Sequence, residues 1–123
     1  MVETIVPILK VADAARAVEW YAKLGFEKEF EERYSDEFPG YVGITSGGAS
    51  IHLSERVGDA TPDSLLYLVV ADVDSVAAAF GVAVVEQATG REIHLTDPDG
   101  NRLRVGTRIE SPADGAEVAG DAS

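Results

Sequence analysis

Apolar positions in this chain come in short bursts of period two, and twice the period lengthens to that of a helix. Val6 to Val11 predicts a short extended run. Asp13 then stands where a helix cap is needed, and Ala14, Ala17, Val18, Tyr21 and Leu24 follow on one helical face, with Arg16, Glu19 and Lys23 opposite. Gly25 predicts the stop, since glycine readily takes the left-handed conformation that ends a helix. Strand-like segments come next at Phe26–Tyr34, Tyr41–Ser46 and Ser50–Glu55, the last two joined by the tight-turn pair Gly47-Gly48. Residues 56–63, with Gly58 and Pro62, read as a loop.

The same order then recurs. Leu65–Val70 predicts a strand, and Asp72 or Asp74 begins a short helix whose stripe is Val73, Val76, Ala77 and Phe80, stopped by Gly81. Val82–Glu86, Glu92–Thr96 and Arg102–Gly106 are the remaining strands, with the turn chemistry of Asp97-Pro98-Asp99-Gly100 between the last two. Val11-Ala12-Asp13 returns as Val70-Ala71-Asp72, and the hairpin strand Ile51-His52-Leu53 returns as Leu103-Arg104-Val105. Two echoes in one order indicate duplication. The offset between copies falls from 59 residues at the first echo to 52 at the last, which the pattern attributes to a shorter second helix. The reading is an α+β fold of two βαβββ modules, about 4–55 and 64–107, in a single domain over 1–107. An acidic Ala/Gly-rich tail over 108–123 lacks apolar periodicity and is expected to be disordered.

Composition narrows the function. There is no cysteine, which removes disulfides, thiolate metal sites and a cysteine nucleophile. The N-terminus has no basic stretch before a short apolar run, so it does not read as a signal peptide, and no segment has the apolar length of a membrane span. The expectation is a cytoplasmic protein. The net charge is −12, and residues 1–107 still hold 18 Asp and Glu against 9 Lys and Arg. Phosphate backbones would be repelled, so nucleic acid is not an expected partner, whereas a cationic small ligand would be attracted.

The stretch VPILKVADAARAVEWYAKLGFE, the hairpin segment GGASIHLSE, and the later LVVADVDSVAAAF and TDPDGNRLRV resemble, in this order, modules of the glyoxalase/bleomycin-resistance/dioxygenase (vicinal oxygen chelate) superfamily, nearest in pattern to its bleomycin-resistance branch. The resemblance covers about residues 5–107. It implies curled mixed sheets around an open cleft, with helices packed outside. It also implies that the superfamily's metal ligands would fall at Val6, His52, Leu65 and Arg104. Two aliphatic side chains and a guanidinium offer no lone pairs to an ion, so no metal and no cofactor are expected. The implied function is metal-free binding of a small organic molecule, as in sequestration of a cationic or aromatic antibiotic of the bleomycin type by a homodimer. An alternative is a metal-dependent lyase, isomerase or dioxygenase with a non-standard site built on His52, His94 and Glu92; a third is a scaffold with no small ligand.

The expected ligand-binding residues are Phe38, Tyr41, His52, Ser54, Tyr67 and Arg104. His52 shares a strand face with Ser50 and Ser54, and it either meets a ligand or is satisfied by its neighbours. Phe38, Tyr41 and Tyr67 either stack on a flat ligand or pack the core. Arg104 either neutralises an acidic ligand or is held by a carboxylate such as Glu92. Glu92 and His94 form either a ligand-orienting pair or an ordinary surface pair. Trp20, at the border of the first helix stripe, suits packing or an interface. Residues 27–37 hold six acids and two bases, either a solvated strand face or a rim that attracts cations.

Overall fold

Proline has no N–H for a strand ladder, and the first strand starts one residue after Pro7, whose carbonyl still accepts from the His52 N–H at 2.9 Å. In the computed structural model, which describes residues 1–88 and 90–107, the first module runs β1 (Ile8–Lys10), α1 (Ala14–Ala22), β2 (Glu27–Glu32), β3 (Tyr41–Ser46) and β4 (Ala49–Ser54). The second runs β5 (Leu65–Val69), α2 (Val73–Phe80), β6 (Val85–Gln87), β7 (Gly90–Thr96) and β8 (Arg102–Gly106). The sheets have matching orders, β1-β4-β3-β2 and β5-β8-β7-β6. Two mixed four-stranded sheets and two helices make this the α+β fold of paired βαβββ modules. The tail expected over 108–123 lies outside the described residues.

Both helices are capped as their sequences require. Asp13 and Asp72 sit in extended conformation and accept from the N–H three residues on, Arg16 and Ser75. Gly81 closes α2 at φ +66°, with the Val82 N–H reaching back to the Ala77 carbonyl, as in a Schellman end. In the first module α1 packs on β2, β3 and β4. Leu9, Val42, Ile44, Ile51 and Leu53 are buried with Ala14, Ala17 and Tyr21.

The shrinking repeat offset has a different cause from the one the pattern suggested. The helices have nine and eight residues, so helix length removes only one position. Most of the difference arises afterwards. The six-residue β2 and the segment 33–40 of module one correspond to a three-residue β6 and the two residues 88–89 in module two. Module one carries an extra excursion between its second and third strands.

By contacts the chain divides into two units, residues 1–66 with 95–103, and residues 67–88 and 90–94 with 104–107. The tip of the β7–β8 hairpin therefore belongs with the first unit, and polar side chains hold it there. Asp97 is buried, and its Oδ2 accepts the Tyr21 hydroxyl at 2.8 Å and the Asn101 amide at 3.0 Å. Its Oδ1 accepts the Asp99 and Asn101 N–H groups. Asn101 also donates to the Lys10 carbonyl and accepts the Ser64 N–H. Burial first, then Asp97, pushes the Tyr21 phenol far above its ordinary range, so it remains a donor. The DPDGN segment is thus a turn and a polar clamp.

Candidate functional site

In the first unit the open face of the sheet is built around a missing side chain. Gly43 lies mid-β3, directly across from His52 on β4 and Phe30 on β2. A Cβ on Gly43 would collide with the Phe30 ring, which crosses the space it leaves. The β2–β3 register shifts between Lys28 and Phe30, and such a bulge re-aims the strand's side chains. Phe30 meets His52 edge-on at 5.1 Å and lies near-parallel to Tyr41 at 6.3 Å. Tyr41 meets His52 at 5.2 Å, and its hydroxyl is 2.7 Å from His52 Nδ1. All three rings are half-buried, so one surface of the trio stays open. The Arg56 guanidinium lies 5.2 Å from the Tyr41 ring centre, within cation–π range. Burial, then the Asp59 and Glu32 carboxylates, raise the Tyr41 phenol, against a smaller lowering by Arg56. Tyr41 therefore keeps its hydrogen and shares a hydrogen bond with the His52 ring.

Beside this face, Glu55 organises the extra excursion of module one. Its carboxylate accepts the Ala14 N–H at the start of α1, the Gly40 N–H, and the Arg33 guanidinium at 3.1 Å. Burial alone would raise this carboxyl, but the two backbone N–H groups and Arg33 outweigh it and hold Glu55 below the ordinary glutamate range. Arg33 also donates to the Phe38 carbonyl, which ties down the SDEFPG segment.

Two of the six expected ligand residues, Tyr41 and His52, come together here. Phe38 is 50% exposed, and its ring partner is Tyr34 at 5.5 Å, not the trio. Ser54 is fully buried; its hydroxyl donates to Asp59 at 2.7 Å and accepts the Arg56 N–H, so it fastens the loop after β4. Phe30 escaped the sequence reading. Its signal was a single apolar residue in the strand EKEFEE, followed by a strand with a central glycine.

In the second unit, Tyr67, Gln87, Ala88, Glu92, His94 and Arg104 line a pocket of about 350 Å³. The Tyr67 hydroxyl reaches Gly106, where a Cβ would stand 2.7 Å from the phenol oxygen and 3.2 Å from the Arg91 carbonyl. Glu92 is buried, and its Oε1 lies 2.9 Å from His94 Nε2. A carboxylate only accepts, so a hydrogen of the His94 ring sits on Nε2. Tyr67 and Arg104, the other expected residues, therefore share one pocket.

The strand positions that the resemblance assigns to a metal do not suit one. The β1–β4 register sets Ile8 beside His52, and Val6 lies before the strand. Leu65 is exposed at the start of β5, and Arg104 carries a permanent positive charge. Among the described residues, no three His, Asp or Glu side chains are grouped to hold an ion. No helix among them is long and apolar enough to cross a membrane.

Comparison with known proteins agrees with this architecture. No curated protein matches the sequence significantly. A bleomycin-binding protein from bleomycin-producing Streptomyces verticillus, complexed with copper(II)-bleomycin, is 27% identical, with a TM-score of 0.63 over 88% of this chain and 99% of its own. TnmS3, an antibiotic-binding protein from Streptomyces sp. CB03234, is 24% identical, with a TM-score of 0.71 over 87% and 96% of the two chains. A glyoxalase/bleomycin resistance protein from the same strain is 25% identical, with a TM-score of 0.65 over 83% and 97%. The family model described as "Glyoxalase superfamily protein" matches residues 1–112, and the chain belongs to that superfamily.

Proposed function

We propose that this protein binds a small, flat organic molecule reversibly and without a metal, and that its use is sequestration of an aromatic or cationic antibiotic. The observation that carries the reading is the ring trio Phe30–Tyr41–His52, assembled over Gly43 with one side open. Aromatic side chains give large contact area for little lost conformational freedom, and rings already held by each other need little ordering when a ligand arrives. Similarity to a protein complexed with copper(II)-bleomycin and to an antibiotic-binding protein supports the ligand class. The net charge of −12 favours a cation. Tyr41 and His52 remain in the proposed binding surface and Phe30 joins them; Phe38 would act at its margin, and Tyr67 and Arg104 line the pocket of the second unit. Ser54 is left out because both roles of its hydroxyl are taken. A cytoplasmic homodimer belongs to the same proposal, and analytical ultracentrifugation tests the dimer.

The metal-dependent alternative on His52, His94 and Glu92 draws no support from a three-donor group among the described residues. The deciding experiment is a thermal-shift screen of bleomycin, with and without copper(II), and of flat polycyclic antibiotics, read beside resistance in a sensitive host. Stabilisation that Phe30→Ala and Tyr41→Ala abolish is the expected result. A panel that stabilises nothing, or one whose effects survive both substitutions, refutes the reading.

A further inference from the structure

The charge pattern of the second unit points to a ligand group opposite in sign to the one the whole chain attracts. Acids outnumber bases 22 to 10 in this sequence, so a basic side chain without an acidic neighbour is unexpected. Arg16, Arg33, Arg56 and Arg91 follow the expectation, each paired with Asp or Glu. Arg102 and Arg104 do not. Among the described residues neither guanidinium has a carboxylate or a hydrogen-bond partner, and Arg104 lines the pocket of about 350 Å³. The one carboxylate on that pocket wall, Glu92, is buried and engaged by His94 at 2.9 Å.

The other lining groups complete a recognisable chemistry. Tyr67 supplies an aromatic ring, whose hydroxyl lies where a side chain at Gly106 would stand. Gln87 adds an amide at the rim. The volume lies at the small end of the roughly 300–1,000 Å³ typical of ligand pockets. An unpaired guanidinium presents a planar fork of donors that matches a carboxylate in two-point contact. We propose that this pocket binds a planar aromatic carboxylate, with the acid group on Arg104 and the ring against Tyr67. The inference rests on the small-molecule reading above only in that the pocket takes an organic ligand; it does not use the ring trio.

Calorimetric titration with 2-naphthoate and with its neutral isostere 2-naphthamide, at low salt, tests it. The unsubstituted protein should bind the acid about tenfold more tightly than the amide, as a charge-assisted two-point contact allows. Arg104→Gln should bring the two affinities together. Arg104→Lys, which keeps the charge without the fork, should leave an intermediate preference. Glu92→Gln should tighten naphthoate binding several-fold, because it removes the nearby negative charge and keeps an acceptor for His94. Equal binding of acid and amide, a preference that survives Arg104→Gln, or no binding of either compound overturns the proposal. If the antibiotic screen succeeds while these titrations fail, only the acid-binding inference falls. If both fail, the small-molecule reading falls with it.

Discussion

The two modules share a backbone plan and differ in what they put on the open faces of their sheets. Each has an aspartate-capped helix, the same strand order, and an aromatic side chain at a glycine: the Phe30 ring over Gly43 and the Tyr67 hydroxyl at Gly106. The first face is then completed by rings that touch one another. The second holds a satisfied Glu92–His94 pair and an arginine without a partner. Residues on the buried face must fit a dense interior, where a change of one methylene is felt. Residues on the open face are held less tightly by packing, so a duplicated module can diverge there without losing its fold.

The largest effect should come from the fastening that module one has and module two lacks. Glu55→Ala leaves Arg33 and two backbone N–H groups without their acceptor, and should destabilise the protein by about 3 kcal/mol in urea unfolding. By the repeat offset its counterpart is Thr107, which has no carboxylate. The same contacts set a pH dependence. Because the folded protein holds Glu55 below its ordinary value, the stabilisation is fully present above about pH 4–5 and is lost as pH falls through the lowered value. Glu55→Gln should flatten that acid limb, and an unchanged limb would remove Glu55 from the account.

Tyr21→Phe ranks next. It removes the only hydroxyl donating to Asp97 among the described residues and should lower stability by about 2 kcal/mol, measured the same way. Phe30→Ala should cost about 1–2 kcal/mol through lost ring contacts and diminish the near-ultraviolet circular dichroism of the trio. Gly43→Ala should reproduce that spectral change by displacing the ring. A smaller effect of both on the spectrum than Tyr67→Ala would contradict the contrast between the faces. Arg104→Gln should shift stability by less than about 0.5 kcal/mol, as expected of an exposed side chain without partners. A large loss would mean that Arg104 is structural.

Much of the framework was legible because it depends on local chemistry. Asp13, Gly81 and the Gly47-Gly48 turn each act within a few residues, and their roles follow from capping and turn geometry. Strands β3 and β8 matched their predicted bounds, while β1 shortened because Pro7 cannot join the ladder. His52 was placed by period-two alternation, which assigns a face but not a neighbour; Arg104 came from the resemblance, and Tyr41 and Tyr67 were only aromatic candidates. Ser54 shows the limit: it shares His52's face by alternation, yet Asp59 folds back and buries its hydroxyl. Phe30 shows the converse, since a register shift and a glycine on the next strand recruit a residue from an acidic run.

By itself the sequence determined the number of modules and their element order, since these follow from periodicity, caps and turn chemistry. Only the tertiary structure decided which rings touch, which arginines pair with acids, and that the DPDGN turn grips Tyr21 and Lys10. Those outcomes join residues up to 91 positions apart, and contacts over such separations are set by strand register and packing, which no local pattern encodes.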